Sequence, residues 1–397
     1  MPCLKLFFFV AILFIAINPI NASATGSDDL KNKVNTPLQS PAAQTTKTTK
    51  ANSSIGPAYA LRADAMRAVA DMALRRDLDA DWARQAVGQA HYLPQVVKFI
   101  QPPPAGTPKN WRVYRSRFID PVRIKAGVAF WQANREALER AERTTGVPAE
   151  IIVGVIGVET IYGQQMGTFR VLDALTTLAF DFPASHPRAA ARTEFFKAEL
   201  EQYLSLTHRM GVNPLSLRGS FAGAMGMPQF MPSSWVKYAV DFDGDGRIDL
   251  FNSTADVIGS VANYFVAFNW QKGMATHYPV SFDAQTLNMD ALLAPDILPT
   301  FHVPSFVAKG AVLEGAALLH KGPLALVELQ NGELAPSYVA GTENFYAITR
   351  YNWSSYYAMA VIELGREVAR AQANTTPSNT GCNASSQAAT SSSLTCK

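Results

Sequence analysis

Between Ile151 and Val158 the chain reads Ile-Ile-Val-Gly-Val-Ile-Gly-Val and then meets Glu159. An unbroken apolar run of this kind is buried on all sides. Val147-Pro148 ahead of it places a proline at the first position of a helix. Gly154 and Gly157 cost a helix stability, so they mark close packing or the close approach of another group. If the helix continues, Glu159 shares a face with Val155, Ile156 and Tyr162. A carboxyl there is poorly solvated, which disfavours its charged form and raises its pKa. A carboxyl held protonated near neutrality is a general acid. The plainer alternative is a glutamate at a helix end that reaches water or bonds nearby backbone. The glycines weigh against it, and the stop at Gly163 puts Glu159 near an opening.

A second stretch, Gly219 to Trp235, reads Gly-Ser-Phe-Ala-Gly-Ala-Met-Gly-Met-Pro-Gln-Phe-Met-Pro-Ser-Ser-Trp. Its small residues allow backbones to approach closely. Ser220 and Gln229 are polar groups able to face a groove, and Pro232-Ser233-Ser234 leads into a helix. Close helix packing alone explains the pattern equally well.

Most of the remaining body reads helical. Apolar spacing and charge pairs predict helices over 60–74, 130–143, 195–207, 233–239, 255–269 and 356–371. Leu324 to Leu329, Tyr338-Val339 and Phe345 to Ala347 read as strands of a small sheet. Gly and Pro punctuate 283–323, which predicts an irregular or small α/β insertion. The fold class is therefore mainly α (α+β), with no internal repeat.

The chain has 397 residues, 48% of them apolar, enough for a sizeable core. A net charge of +3 gives no concentrated basic field of the nucleic-acid-binding kind. Lys5, the apolar run Leu6 to Ile17 and Ala22-Ser23-Ala24 read as a secretory signal peptide over 1–24. The run is short for a membrane span, although an uncleaved anchor is the competing reading. Cys3 precedes the run, so no cysteine stands at the cleavage site to carry a lipid. Residues 25–56 and 372–397 are polar, low-complexity segments expected to be disordered, leaving an ordered body over 57–371. Cys382 and Cys396 lie in the tail, where in an exported protein they could pair. The body between holds no cysteine nucleophile or thiolate metal site.

Asp241-Phe-Asp243-Gly-Asp245-Gly246-Arg247-Ile-Asp249 matches the start of a calcium loop. Asp241, Asp243 and Asp245 would be side-chain ligands at positions one, three and five. Gly246 makes the turn at six, and the Arg247 carbonyl serves at seven. Position twelve is Asn252, with one oxygen and no charge, in place of the usual bidentate glutamate. A bare Asp-Gly turn is the alternative, but three aspartates this close repel one another without a cation. A structural Ca2+ is expected and no organic cofactor. The six histidines are scattered, with no zinc spacing.

Taken together, Glu159-Thr-x-Tyr-Gly and Gly219-Ser-Phe-Ala-Gly-Ala-Met-Gly-x-x-Gln-Phe-Met-Pro-Ser-Ser resemble the membrane-bound lytic murein transglycosylase B family. The likeness continues through Ile258-Gly-Ser-Val-Ala-Asn-Tyr-Phe265, Asn344-Phe-Tyr-Ala-Ile-Thr-Arg-Tyr-Asn352 and Tyr357-Ala-Met-Ala360, covering most of the body. It implies a lysozyme-like helical catalytic core with an N-terminal α region and a small inserted α/β region. The implied activity is non-hydrolytic cleavage of the MurNAc-β-1,4-GlcNAc bond of peptidoglycan, leaving 1,6-anhydro-MurNAc ends. Glu159 matches the family's acid/base. Ser220, Gln229, Tyr114, Arg192, Tyr264 and Tyr346 match its substrate-binding residues, with Tyr351 and Asn352 weaker matches. The resemblance also suggests that Asp256 closes a longer calcium loop. Peptidoglycan glycan strands are the expected partner, in the periplasm, with a cell-wall synthesis or degradation complex as a further one. A monomer is expected.

Ordinary glycosidases use two carboxylates. Asp173 and Asp181 lie downstream of Glu159, but each reads as a cap or a structural pair. One carboxylate suffices if the substrate supplies its own nucleophile. Two other readings stay open: a hydrolytic muramidase using the same glutamate with water, and a calcium-dependent peptidoglycan-binding module without catalysis. A serine hydrolase built on Ser220 lacks the strand–turn–helix elbow and a paired histidine.

Overall fold

The computed structural model describes residues 56–104 and 106–375. The expected signal peptide, nearly all of the expected linker, Cys382 and Cys396 lie outside the described residues. The C-terminal helix runs Ser355–Thr375, so the ordered body extends past the expected boundary at Ala371.

The centre of the molecule is the helix Ala149–Thr160, whose residues from Ile151 to Val158 are all buried. It packs chiefly against the C-terminal helix, and further against Pro121–Ala133, Arg135–Thr145 and Thr254–Ala267. Two glycines set the distance between the central and C-terminal helices. A Cβ on Gly154 would stand 2.2 Å from the Val361 carbonyl oxygen, and one on Gly365 would stand 2.0 Å from that of Glu150. Only a glycine lets backbone meet backbone at those points.

Around this pair, Val171–Phe180 and Ala189–Arg209 pack on each other, and Ala63–Arg75 with Ala80–Gly88 form an N-terminal helical region beside them. The insertion expected over 283–323 belongs to a larger α/β segment over 277–341. Its three-stranded antiparallel sheet has Leu334–Gly341 between His277–Pro279 and Ala325–Asn331. It encloses a small core of its own, including Leu292, Phe306, Leu313 and Leu326. Among the described residues no helix is long and apolar enough to cross a membrane.

Three local expectations are corrected. Phe345 to Ala347 is not a strand; it lies in the helix Glu343–Tyr351, nucleated by Thr342, whose Oγ1 accepts from the backbone N–H of Asn344 at 3.2 Å. The helix expected over 130–143 is two helices, Pro121–Ala133 and Arg135–Thr145. They part at Asn134, whose side-chain amide donates to the Phe130 carbonyl at 2.8 Å and competes with the helix ladder. Pro148 is the N-cap of the central helix rather than its first residue.

Candidate active site

Glu159 stands one residue from the end of the central helix, half-buried. The helix stops there because the next two residues turn left-handed, Ile161 at φ 51° and Tyr162 at φ 57°. Such angles are costly for non-glycine residues and persist only where packing over-determines them. Here the packing is visible. The Tyr162 phenol folds back into the space left by two glycines: a Cβ on either Gly127 or Gly157 would meet its oxygen at 2.4 Å. Tyr162 therefore does not share the face of Glu159 as a continued helix would require; its ring stacks on Phe130 instead. Arg123 completes this end, its Nε donating to the Gly157 carbonyl at 3.0 Å. A cation at a helix C-terminus is favourable.

The carboxyl faces an aromatic wall. Tyr357, from the C-terminal helix, donates its hydroxyl to Glu159 Oε1 at 2.6 Å. Tyr351 lies parallel to Tyr357, centroids 6.3 Å apart, and Tyr264 follows at 4.7 Å from Tyr351. Tyr114 stands close enough for the Glu159 charge to push its own pKa upward, although burial is the larger cause. Burial pushes the Glu159 carboxyl up to about 7, against a smaller lowering by the Tyr357 hydrogen bond. Tyr357 and Thr160 were not among the expected site residues. Tyr357 stood only within the matching segment Tyr357–Ala360, and no local pattern links it to a glutamate 198 residues away.

Thr160 joins the two motifs. Fully buried, it donates its hydroxyl to the Met227 carbonyl at 2.9 Å and accepts from the Gly163 N–H at 3.0 Å. Tyr351 donates to the next carbonyl, that of Pro228, at 2.5 Å. The glycine-rich segment is thus clamped beside Glu159 through two adjacent backbone carbonyls. Within it, Ser220 is buried and its Oγ accepts from the N–H groups of Ala222 and Ala224, bracing the turn. Gln229 adopts φ 52°, and its Nε2 donates to the carbonyls of Met166 and Gly226. Its Oε1 is the part of that amide left to accept a ligand's hydrogen bond.

Three further carboxylates of the helical body, Asp173, Asp181 and Glu199, are bonded to other groups. Asp173 pairs with Arg170 and accepts from the His91 N–H. Asp181 pairs with Arg62 and accepts from Tyr59. Glu199 holds Ser233 at the start of the helix Pro232–Tyr238, its two oxygens bonding the backbone N–H and the hydroxyl.

Tyr264 donates to the Arg350 carbonyl at 2.6 Å, on the helix that also carries Tyr351 and Tyr346. Tyr346 meets Trp353 edge-on and carries the Arg350 guanidinium at 5.8 Å. Asn352 is buried at the end of that helix, its Oδ1 without a hydrogen-bond partner. Arg192 is buried over the rings of Phe195 and Phe196, and burial lowers it to about 10.

Asp241, Asp243 and Asp245 are exposed and converge, with one oxygen of each within 4.8 Å of the others. Gly244 and Gly246 take the positive φ that the turn requires, 79° and 87°. Convergent hard oxygens without a paired cationic side chain suit a hard divalent ion. Asp256 is placed differently. It is buried, and its two oxygens accept from the backbone N–H groups of Phe242, Asp243 and Asp249. It organises the loop rather than joining the three exposed carboxylates. Asp249 turns to the backbone of Phe251 and Asn252.

A family model described as the transglycosylase SLT domain matches residues 62–366. The membrane-bound lytic murein transglycosylase B of Escherichia coli K12 is 40% identical over 326 residues, spanning 80% of this chain and 86% of that protein. The structure of the Escherichia coli lytic transglycosylase Slt35 in complex with calcium has TM-score 0.68 and 39% identity, covering 81% of this chain and 97% of that one. SltB3 from Pseudomonas aeruginosa in complex with NAG-anhNAM-pentapeptide has TM-score 0.65 and 29% identity, covering 79% and 80%.

Proposed function

The chain belongs to the transglycosylase SLT domain family, and on that premise we propose that it is a lytic murein transglycosylase in which Glu159 acts first as acid and then as base. One observation carries the reading. Glu159 sits beside a tyrosine wall in poorly solvated surroundings that raise its carboxyl to about 7, while Asp173, Asp181 and Glu199 are bonded to other groups.

The chemistry follows from a single carboxyl. Protonated Glu159 gives its proton to the glycosidic oxygen, and the C1–O bond to GlcNAc breaks. The N-acetyl carbonyl of MurNAc supports the charge at C1. Glu159, now a carboxylate, takes the proton of the C6 hydroxyl as O6 bonds to C1. The product is a 1,6-anhydro ring, and Glu159 is again protonated. No water is consumed, so no second carboxylate is needed to activate one.

Tyr357 holds the carboxyl in place and stabilises the charged form between the two steps. Tyr114, Tyr264 and Tyr351 give apolar faces for sugar rings. Gln229 Oε1 accepts from a sugar hydroxyl or acetamido group, while Ser220 keeps the loop in shape. Arg192 and Tyr346 contact more distant parts of the strand. Ca2+ is held by Asp241, Asp243, Asp245 and the Arg247 carbonyl, with Asp256 ordering the loop behind them; its role is structural. The N-terminal apolar run supports export to the periplasm, where the glycan substrate lies.

Glu159→Gln tests the assignment: the fold survives, as judged by an unchanged circular dichroism spectrum, and release of muropeptides stops. Wild-type turnover by this variant overturns it.

A further inference from the structure

Phe242 lies between Asp241 and Asp243, two of the three converging aspartates of the calcium loop. Neighbouring elements grip it on every side. Its N–H donates to Asp256 Oδ1 at 2.7 Å. Its ring lies against Gly259 of the helix Thr254–Ala267, where a Cβ would stand 2.3 Å from the ring's Cγ. Two further holds come from one residue, Arg140, on the helix Arg135–Thr145. The guanidinium carbon of Arg140 stands 3.7 Å from the centre of the Phe242 ring, and its Nη2 donates to the Phe242 carbonyl. The flanking Asp243 is tied down as well. Its Oδ2 accepts at 2.6 Å from the hydroxyl of Ser253, which caps the helix Thr254–Ala267.

One guanidinium thus fixes both the side chain and the backbone of the residue between two candidate ligands. Backbone held in place before an ion arrives leaves less order to impose on binding, and groups that orient metal ligands contribute to affinity without touching the metal. We propose that Arg140 is a positioning residue for calcium, clamping Phe242 so that Asp241 and Asp243 converge on the ion. This inference rests on the reading that the loop holds calcium. It has a sign that electrostatics alone does not share. An exposed cation near a divalent ion repels it, so on charge alone the loss of Arg140 would tighten calcium binding. As a clamp, its loss weakens binding.

Calorimetric titration of the full chain with CaCl2 tests the inference. Arg140→Ala is expected to bind roughly ten-fold more weakly than the wild type, the scale of losing a group that orients a metal ligand. Arg140→Lys keeps the charge and a donor but not the planar face, and recovers part of the loss. Arg140 is exposed, so the metal-free melting temperature stays close to that of the wild type. Unchanged or tighter binding by Arg140→Ala overturns the inference. So does weaker binding that comes with a large fall in the metal-free melting temperature, the mark of general loosening. Asp243→Ala with Asp245→Ala separates the inference from the reading beneath it. If that variant binds calcium as the wild type does, or if the wild type binds none, the loop is not the site and both fall. If it binds none while Arg140→Ala binds as the wild type does, the inference alone falls.

Discussion

The Tyr357 hydroxyl donates a 2.6 Å hydrogen bond to Glu159 Oε1 and is the one described group that pulls the carboxyl's pKa down against burial. Removing it should move Glu159 further up. The active resting form is the protonated one, so the rate of the wild type falls as pH rises through about 7. In Tyr357→Phe that alkaline limb shifts to higher pH and the maximal rate drops. A pH–rate profile of both proteins checks the direction; a limb that stays in place removes Tyr357 from the tuning of Glu159.

The same burial makes Glu159 a stability liability at high pH. Its folded pKa lies above its ordinary 4.5, so between 4.5 and about 7 the folded state binds more protons than the unfolded one. Stability from this group is therefore present below 4.5 and is lost as pH rises through 7. The full difference is up to about 3 kcal/mol, less for the part of the carboxyl that water reaches. Glu159→Gln should thus melt higher than the wild type at pH 8, and the gap should narrow toward pH 5. Thermal melts across that range read it directly.

Thr160 ties the glutamate helix to the glycine-rich segment through Met227 and Gly163. Thr160→Val keeps the shape but leaves the part-buried Met227 carbonyl and Gly163 N–H without their side-chain partner. The expected loss is about 1–3 kcal/mol of unfolding free energy in a urea titration. Activity should fall beyond what the unfolded fraction explains, because the segment beside Glu159 loosens.

Calcium should raise the melting temperature of the wild type. At a hundredfold excess over Kd the gain is about 2.7 kcal/mol. Asp243→Ala with Asp245→Ala should abolish the gain, since both carboxylates belong to the exposed cluster. Asp256→Asn should instead destabilise the chain with or without calcium, because Asp256 accepts from loop backbone at both oxygens. An equal calcium shift in wild type and the double variant would place the ion elsewhere.

Much of this was legible along the chain. The apolar run and its glycines placed a buried helix with a poorly solvated glutamate at its end, which the structure has. The helix end was less legible. Continuation past Thr160 is the natural expectation from periodicity, but Ile161 and Tyr162 turn left-handed and the Tyr162 ring fills the gap over Gly127 and Gly157. Phe345 to Ala347 looks strand-like by composition alone, and Thr342, whose Oγ1 accepts from the N–H groups of Asn344 and Phe345, starts a helix there instead. Ser220 and Gln229 stand in the segment that Thr160 and Tyr351 clamp through Met227 and Pro228. Ser220 and most of the Gln229 amide, however, are occupied with backbone, and sequence gives no sign of which side-chain atom stays open. Tyr357 was invisible as a partner of Glu159 because their contact exists only once the helices Ala149–Thr160 and Ser355–Thr375 pack through Gly154 and Gly365.

The central claim is that one glutamate cleaves the glycan with the substrate's own C6 hydroxyl as nucleophile. Digestion of purified peptidoglycan in H2(18)O, read by mass spectrometry of the released muropeptides, tests it most directly. The expected products end in 1,6-anhydro-MurNAc, one water lighter than reducing ends, with no 18O incorporated, and none of them come from Glu159→Gln. Reducing ends carrying 18O would contradict it and make the protein a hydrolytic muramidase.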